Sequence, residues 1–463
     1  MATPAVEMKE VSPQQKKWRR YPRYKDSGVE WLGEVPEGWG VLPLRRILSQ
    51  NKGGVWGEDF DDDGVIVLRS TEMAINGIWK IKEPARRKLT IQEKLSSLLK
   101  EGDLVITKSS GSIDHLGKTA IVNDFIERME CCCSNFMQKL RVKKGITPKY
   151  IYWHLNGRSG RDQMIYLGTT TTGLSNLTSE IIGNILTPVP QSHEQHAIAA
   201  FLDRETARID ALIAKKERQI ELLQEKRAAL ISHAVTKGLD PNAKMKDSGV
   251  EWLWEVPEHW EVRKLKYISP RISGRLVYSP AQYFTDEGLP FLFGTNITKE
   301  GISFENVKYI PPEINNRFLK HALRKDDLVM VRVGEPGLTA VVPEEADGLN
   351  CASMMIIRKS NNFDSHWLSY LLNSDIGSYQ VKLTTYGAAL EQINISEAVN
   401  FIIPTPPLTE QQEISNYLLT ISKNIHQISS KIKNSIICLG EYRSALISTA
   451  VTGKIDVRQE IIT

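Results

Sequence analysis

The feature that most constrains this chain is a stretch near its middle, residues 225–260, whose two halves each occur a second time. Its second half, KDSGVEWLWEVPEHW (246–260), returns near the start as KDSGVEWLGEVPEGW (25–39), with thirteen of fifteen positions identical. Its first half, EKRAALISHAVTKGLD (225–240), returns near the end as EYRSALISTAVTGKID (441–456), with ten of sixteen identical. The chain is therefore an internal duplication with a circular layout.

This layout makes a prediction about the two ends of the chain. The unit that is continuous in the middle is divided between the termini in its other occurrence. Its second half stands near the start of the chain, and its first half stands near the end. We expect the ends to rebuild the same joint in space, with Asp456 near Lys25. The two copies are then expected to form a pseudo-twofold pair.

Each copy contains the same series of short apolar segments. Their length and β-branched content, with Gly, Asp and Ser between them, predict β-strands. Their order is conserved between the copies while loop lengths differ, which is typical of a scaffold whose loops carry different functions. A short helix is predicted after the strands of each copy, at 149–156 and 366–373. The predicted strands are 64–69, 103–108, 119–122 and 137–142 in the first copy, and 289–294, 327–332, 339–342 and 354–359 in the second.

Two long helical stretches, about 194–234 and 410–450, each follow a Pro-x-Pro boundary. The pairs Ser192/Gln195 and Thr409/Gln412 resemble capping boxes at the helix starts. Apolar steps of three and four predict that the helices pair with each other as a coiled coil of ~60 Å, at ~1.5 Å per residue. The alternative is that each helix packs on its own domain. The predicted seam consists of Ile209, Ile213, Lys216, Ile220, Leu223, Arg227 and Leu230 with Ile425, Ser429, Ile432, Ile436, Leu439, Arg443 and Leu446.

Composition narrows the class of protein. A chain of 463 residues fits about two to four domains. Its net charge of +4 permits nucleic-acid binding without arguing for it. No apolar run is long enough to span a membrane and no secretory signal is visible at the start. The five cysteines have no disulfide or zinc spacing, so we expect the reducing cytoplasm.

A local basic and aromatic cluster near the start would suit phosphate contact and base stacking. The second copy lacks such a cluster, and for that reason we favour a solvated N-terminal arm. The cluster consists of Lys16, Lys17, Arg19, Arg20, Arg23 and Lys25, interleaved with Trp18, Tyr21 and Tyr24.

Candidate catalytic motifs fail on spacing. The segment GSIDHLGKT (111–119) follows a strand as a phosphate-binding loop would, but its first glycine is one residue too far from Gly117-Lys118-Thr119. The second copy has GEPGLT, without a lysine. The tetrapeptide that amino-methylating enzymes use to grip a flipped base is absent from the sequence. We therefore expect no catalytic site in this chain.

Two further groups could bind a metal ion in principle. His193 and His196 lie three residues apart at a helix start, and an acidic run comprises Glu58, Asp59, Asp61, Asp62 and Asp63. The second copy has neither, since Thr409 and Gln412 replace the histidines. Surface histidines and a solvated acidic loop are therefore the favoured interpretation.

The KDSGVEW elements, the P-x-P…EQ helix starts and the helix ends RAALISHAVTKG and RSALISTAVTGK together resemble the specificity subunit of type I restriction–modification systems. The resemblance extends from about Lys25 to Asp456. It implies an α+β fold with two homologous α/β target-recognition domains, joined by two long helices that pair as an antiparallel coiled coil. The implied division is an N-terminal arm (1–24), recognition domain 1 (25–188), spacer helix 1 (189–240), recognition domain 2 (241–404), and spacer helix 2 with a tail (405–463).

The resemblance also implies a function and partners. Each recognition domain of the family reads one half of a split, asymmetric site in double-stranded DNA, and the paired helices fix the distance between the halves. The subunit has no catalysis of its own. It docks two methyltransferase subunits that use S-adenosylmethionine, and motor-nuclease subunits that use ATP and Mg join the full complex.

DNA-contacting residues are expected at strand ends and in the loops that differ between copies. Lys108 and Arg332 occupy the same place after the DLV strands, where either can contact a phosphate or guanine. Two other functions stay open: an ATP-dependent enzyme built on the GSIDHLGKT loop, and a recognition module for another effector. The candidate DNA contacts are Arg69, Lys108, Ser109, Ser110, Thr170, Thr171 and Thr172 in the first copy, and Thr295, Asn296, Arg332, Tyr386 and Gln392 in the second.

Overall fold

The computed structural model describes residues 18–59, 64–168, 175–274, 280–385 and 391–460. Its internal contacts divide the chain into two compact units. The first comprises residues 1–215 and 434–463, and the second comprises residues 216–433. Each unit thus combines one of the two predicted recognition domains with part of both long helices, whereas the predicted division separates the helices from the domains.

The first unit has fourteen described strands, six short helices and the start of a long helix. The strands are β1 (Tyr24–Asp26), β2 (Glu34–Pro36), β3 (Gly40–Pro43), β4 (Leu48–Gly53), β5 (Glu58–Asp59), β6 (Val65–Leu68), β7 (Ala85–Lys88), β8 (Leu104–Thr107), β9 (Ser109–Ser110), β10 (Thr119–Ile121), β11 (Cys132–Cys133), β12 (Met137–Val142), β13 (Ser175–Asn176) and β14 (Leu186–Val189). The helices are α1 (Leu44–Ile47), α2 (Ile91–Ser97), α3 (Asp124–Arg128), α4 (Pro148–Asn156), α5 (Arg158–Gly168), α6 (Ser179–Asn184) and the long α7 (Ser192–Lys237).

The described part of the second unit follows the same plan. Its strands are β15 (Met245–Asp247), β16 (Glu255–Pro257), β17 (Glu261–Lys264), β18 (Ile272–Gly274), β19 (Leu289–Leu292), β20 (Ile297–Thr298), β21 (Gly301–Ile302), β22 (Lys308–Ile310), β23 (Leu328–Val331), β24 (Thr339–Val341), β25 (Asn350–Cys351), β26 (Met354–Ile357) and β27 (Ile402–Thr405). Its helices are α8 (Leu265–Ile268), α9 (Pro312–Arg317), α10 (Ser365–Leu372), α11 (Asp375–Thr384), α12 (Ile395–Ala398) and the long α13 (Leu408–Val451). The predicted strands and helices are confirmed in both copies.

A four-stranded antiparallel sheet forms the centre of each unit, in the order β4-β12-β8-β10 in the first and β18-β26-β23-β24 in the second. All four residues of β8 and of β23 are buried, which explains their apolar sequences LVIT and LVMV. An asparagine at the end of α4, and its counterpart directly after α10, bond the backbone of the outer strand of each sheet. Asn156 accepts from Thr119 N at 3.2 Å, and Asn373 accepts from Thr339 N at 3.0 Å.

The long helices pair in antiparallel fashion within each unit. In the first, Arg443 Nε near the end of α13 lies 2.9 Å from Asp210 Oδ1 near the start of α7. In the second, Arg227 Nε near the end of α7 lies 3.3 Å from Ser422 Oγ near the start of α13. Every predicted seam position is buried or half-buried, whereas the flanking positions are mostly exposed. The predicted coiled coil is confirmed, and α7 does not simply pack on its own domain.

The two chain ends meet within the first unit, as the circular layout predicts. Asp456 N donates to Arg19 O at 2.8 Å, and Lys454 Nζ donates to Glu34 O at 2.6 Å. Asp240 of the central stretch aligns with Asp456 through the helices, at an offset of 216, and with Arg19 through the KDSGVEW elements, at an offset of 221. The hydrogen bond between Asp456 and Arg19 therefore joins the two ends at the position that the single residue Asp240 occupies in the continuous central stretch.

The aromatic residues Trp18, Tyr21 and Tyr24 are packed, so the prediction of a solvated arm is wrong for them, whereas the arginines between them are exposed. Tyr21 is buried with its ring 5.7 Å from that of Trp39, and the Trp18 ring meets Phe201 edge-on at 5.0 Å. Tyr24 Oη donates to Gly453 O at 3.1 Å. The aromatic rings of the cluster cover the apolar surface of the joint between the chain ends. Residues 16 and 17 lie outside the described part.

The expected capping boxes at the starts of α7 and α13 are wrong in their roles, and in the second copy also in their register. Gln195 Oε1 accepts from Thr147 N at 2.8 Å, and its amide donates to Pro190 O. The residue that does the same in the second unit is Gln411, not Gln412, because it accepts from Asp364 N at 2.8 Å. These glutamines tie the long helix to the start of α4 or α10 instead of capping their own helix.

None of the described helices is both long and apolar enough to cross a membrane.

His154 makes the first unit sensitive to acid. It lies fully buried in α4, and burial lowers its pKa to about 4. Between pH 6.5 and pH 4 the unfolded chain binds a proton that the folded unit does not, so the free energy of unfolding falls as the pH falls. At pH 5 the loss is about 2 kcal/mol.

The His154→Leu variant should not show this loss. Leucine occupies the equivalent position, Leu371, of α10 in the second unit. We expect hydrogen exchange of α4 amides, corrected for intrinsic rates, to accelerate from pH 7 to pH 5 in the natural chain and much less in the variant. Exchange of α10 in the same sample is the internal control. Equal acceleration of α4 in both proteins would contradict the assignment.

Candidate nucleic-acid interface

Lys108 directly follows the buried strand β8 of the first unit. Its backbone is fixed on both sides, since its N–H donates to Phe136 O at 3.0 Å and its carbonyl accepts from Leu177 N at 2.7 Å. Its half-buried side chain reaches past β12 to the end of β4, where a Cβ added to Gly53 would be 3.3 Å from Lys108 Nζ. The cation is therefore held at one end of the central sheet.

Arg332 has the same surroundings in the second unit. Its N–H donates to Ser353 O at 3.0 Å, and its carbonyl accepts from Ile393 N at 3.0 Å. A Cβ added to Gly274, the last residue of β18, would be 3.5 Å from Arg332 Nη1. The predicted equivalence of Lys108 and Arg332 is thus a structural one. The guanidinium also donates through Nε to Ile393 O at 3.3 Å.

A short antiparallel pairing follows each cation. Ser109 and Ser110 form β9, which pairs with β13, and Ser109 Oγ lies 2.7 Å from Asn176 Oδ1. In the second unit Val333 and Gln392 form the corresponding bridge. The exposed Asn176 is the counterpart of the predicted Gln392, and sequence reasoning missed it. The offset of 216 between the two copies would have identified it.

Two predicted DNA contacts are instead committed to the fold. Arg69 binds the buried Glu72, with Nη2 2.8 Å from Oε1, and also donates to Glu83 O at 2.9 Å. Asn296 is 5% exposed, and its side chain bonds Phe293 N at 3.0 Å and Glu305 O at 3.3 Å. Arg69 stabilises the 3₁₀ turn Ser70–Glu72 that follows β6, and Asn296 stabilises the 3₁₀ turn Gly294–Asn296 that follows β19. Asn296 is buried there with its amide group bonded to the turn, and Arg69 keeps only part of its side chain exposed.

The remaining predicted residues divide into two groups. Thr295 is exposed in the same 3₁₀ turn as Asn296 and is free to meet a ligand. Ser110 is half-buried, and its hydroxyl accepts from Ser112 N at 3.2 Å. Four predicted contacts lie outside the described residues: Thr170, Thr171, Thr172 and Tyr386.

The lysine of the GSIDHLGKT segment is part of the core. Lys118 is 3% exposed, and its ammonium donates to Ser70 O at 2.7 Å and to Met73 O at 2.6 Å. Burial lowers the pKa of this ammonium. A phosphate could not reach it without breaking both bonds. The phosphate-binding alternative is therefore not supported by the fold.

The other candidate ligands also have structural partners. His196 Nδ1 lies 2.8 Å from Ser192 O and 3.2 Å from Thr147 Oγ1, at the start of α7. Asp59 pairs with Arg87, while Asp61, Asp62 and Asp63 lie outside the described residues. Within the described ranges no group of three or more metal-ligating side chains occurs. Burial raises the pKa of Cys131 and Cys133 to about 12, which keeps these thiols protonated.

The chain has recognisable relatives. The model of the family described as Type I restriction modification DNA specificity domain matches residues 36–222 and 257–437. The MjaVIII specificity subunit of a type I restriction enzyme from Methanocaldococcus jannaschii is 26% identical, over 92% of this chain and 94% of its own length. The EcoKI specificity subunit from Escherichia coli K12 is 20% identical, over 91% and 90%.

Solved structures share the fold. A chain from a type I R-M system, studied for its complex assembly and conformational transition, superposes with a TM-score of 0.71 at 15% identity, covering 91% of this chain and 99% of its own. The HsdS subunit from Thermoanaerobacter tengcongensis gives 0.52 at 16% identity, covering 91% and 98%. Because the family model matches twice and spans most of both copies, this chain belongs to the type I restriction–modification DNA specificity family.

Proposed function

We propose that the chain is the DNA-recognition subunit of a type I restriction–modification complex. Each recognition domain reads one half of a bipartite, asymmetric site, the paired helices set the spacing between the halves, and the chain has no catalysis of its own. The observation that carries this proposal is the matched pair Lys108 and Arg332, each held over the end of an equivalent sheet. Their neighbours differ, so the two half-sites should differ as well.

The chemistry at these sheet ends suits DNA. A lysine or arginine there can neutralise a phosphate or donate to guanine, while Asn176 and Gln392 carry the amide that pairs with adenine. Rigid strands hold these groups, and the adjoining loops differ between the copies. The cation at a fixed position can place the domain on a DNA phosphate, and the polar residue beside it, which differs between the copies, can read a base edge.

We place the two methyltransferase subunits on the long helices and the KDSGVEW elements. The KDSGVEW elements and the ends of the long helices are the parts that agree most closely between the copies, as docking of two copies of one partner would require. In the first unit the KDSGVEW element leaves Trp31 half exposed at a groove of about 630 Å³, which Tyr166 of α5 and Thr449 of α13 also line. Aromatic side chains of this kind are typical anchors at protein interfaces.

The cofactors belong to the partners in this proposal. S-adenosylmethionine would bind the methyltransferase subunits, and ATP with Mg would bind the motor-nuclease subunits. The compartment is then the one that holds the cellular DNA, the cytoplasm. A recognition module for another effector, such as a lone methyltransferase, would differ only in the subunits that co-purify with the chain.

Methylated adenines in the source genome test the proposal directly. With the chain present we expect a bipartite motif, and deletion of the chain should abolish methylation at that motif. Exchange of residues 40–186 for another recognition domain of the family should change one half of the motif and leave the other half and the spacing intact. The assignment would be refuted if the exchange changed neither half of the motif, or if deletion of the chain left methylation at the motif intact.

Lys108→Ala tests the proposed phosphate contact. Loss of one such contact should weaken binding about tenfold at 0.1 M salt and reduce the salt slope by about 1. Fluorescence anisotropy with the assembled methyltransferase across a salt series measures both quantities. Arg332→Ala is expected to act alike through the second half-site.

Lys144→Ala is the matched control, because this exposed lysine follows the opposite end of β12. It should change neither quantity. If Lys108→Ala leaves the affinity and the slope unchanged, the cation does not contact DNA.

A further inference from the structure

The turn between β11 and β12 presents an exposed phenylalanine beside the Lys108 cation. Phe136 is 56% exposed and the preceding Asn135 is also exposed, although Ser134 and Met137 on either side of this pair are buried. Its carbonyl accepts from Lys108 N at 3.0 Å and from Ser109 N at 3.4 Å. The ring therefore lies at the end of the sheet that carries the proposed DNA contacts.

The backbone of this turn is fixed from several sides. Met137 N donates to Ser134 O at 2.9 Å to close the turn, and Ser134 N donates to Leu68 O at 2.8 Å. Gly54 packs so closely that an added Cβ would lie 2.2 Å from Ser134 O. A rigid turn that leaves a large apolar ring in solvent is a poor arrangement for the free protein. It suits a ring that is covered on binding.

The position of Phe136 separates it from the proposed methyltransferase surface. Strand β12 begins after Phe136, and the chain beyond its far end reaches Thr147, which bonds Gln195 of α7. Six strand residues span about 20 Å. DNA is thus the partner that this end of the sheet favours.

The equivalent turn of the second unit, residues 352–353, carries no such ring. Arg332 N donates to Ser353 O just as Lys108 N donates to Phe136 O, so Ser353 takes the place of Phe136. The second turn is also one residue shorter, since Cys133 and Cys351 pair equivalently at an offset of 218 while Met137 and Met354 do so at 217. Of these two described turns, only the first presents an aromatic ring.

We propose that Phe136 is a wedge that inserts between stacked base pairs in the half-site read by the first unit. This inference rests on the proposed function. Phenylalanine is among the side chains that unstack a base step and kink the duplex. Enzymes that modify a base must extrude it from the helix, and prior unstacking lowers that cost. The first half-site would then be distorted by this chain itself, and the second would not.

Fluorescence of 2-aminopurine tests the wedge on the assembled methyltransferase and its mapped target. The probe replaces each purine of the first half-site in turn, except the methylated adenine, which gives its own signal when it flips. One position should brighten about threefold or more on binding, because unstacking relieves quenching. Phe136→Ser should abolish the rise and weaken binding about tenfold, the effect of losing one aromatic stack.

Two further variants make the result decisive. Phe136→Leu should keep most of the rise, because leucine is also a wedge residue. Phe125→Ser removes a phenylalanine of similar exposure, 64%, from α3 and should change nothing. A rise that survives Phe136→Ser, or specific binding with no rise at any position, would overturn the wedge and leave the proposed function standing. Failure to bind the mapped target would overturn both.

Discussion

The carboxylate near the start of each long helix is the contact on which the rest of each unit depends. Glu194 accepts from the buried indole of Trp39 at 3.0 Å, and Glu410 accepts from that of Trp260 at 3.1 Å. A buried indole N–H without a partner would cost free energy, so these bonds orient the KDSGVEW element on the helix. The neighbouring glutamine, Gln195 or Gln411, accepts a hydrogen bond from the backbone amide of the residue that directly precedes the short helix. The central sheet, and the cation at its end, are thereby positioned relative to the coiled coil within each unit.

The same joint is assembled in two ways. In the second unit it is one continuous stretch, whereas in the first it is completed by both ends of the chain. Trp18 packs on Phe201 at 5.0 Å, and Arg204 one turn later donates to Glu460 O at 2.9 Å, so the first and last described residues reach the same face of α7. The additional aromatic residues at the start of the chain are explained by this closure.

Much of the fold was predictable from the sequence, because apolar periodicity indicates which residues are buried and the repeat indicates which residues are equivalent. The seam residues of α7 and α13, the strands around DLV and the pairing of Lys108 with Arg332 follow from apolar spacing and the copy offsets. Side-chain partners could not be predicted in the same way. Arg69 and Asn296 are polar residues at strand ends, as DNA contacts would be, yet their side chains bond to the turns that follow these strands. Phe136 has no periodic signal, because its exposure depends on a turn fixed by distant backbone groups.

Circular permutation tests the central claim, that one joint is built twice, most directly. A chain that begins at Asn242 and ends at Pro241, with Glu460 linked to Trp18 by a short flexible linker, opens the continuous joint and closes the divided one. Hydrogen exchange of α7 and of β8 and β23 measures whether both units form. Protection equal to that of the natural chain in both units is the result predicted here. Loss of protection in the first unit would contradict the claim that the chain ends already meet there.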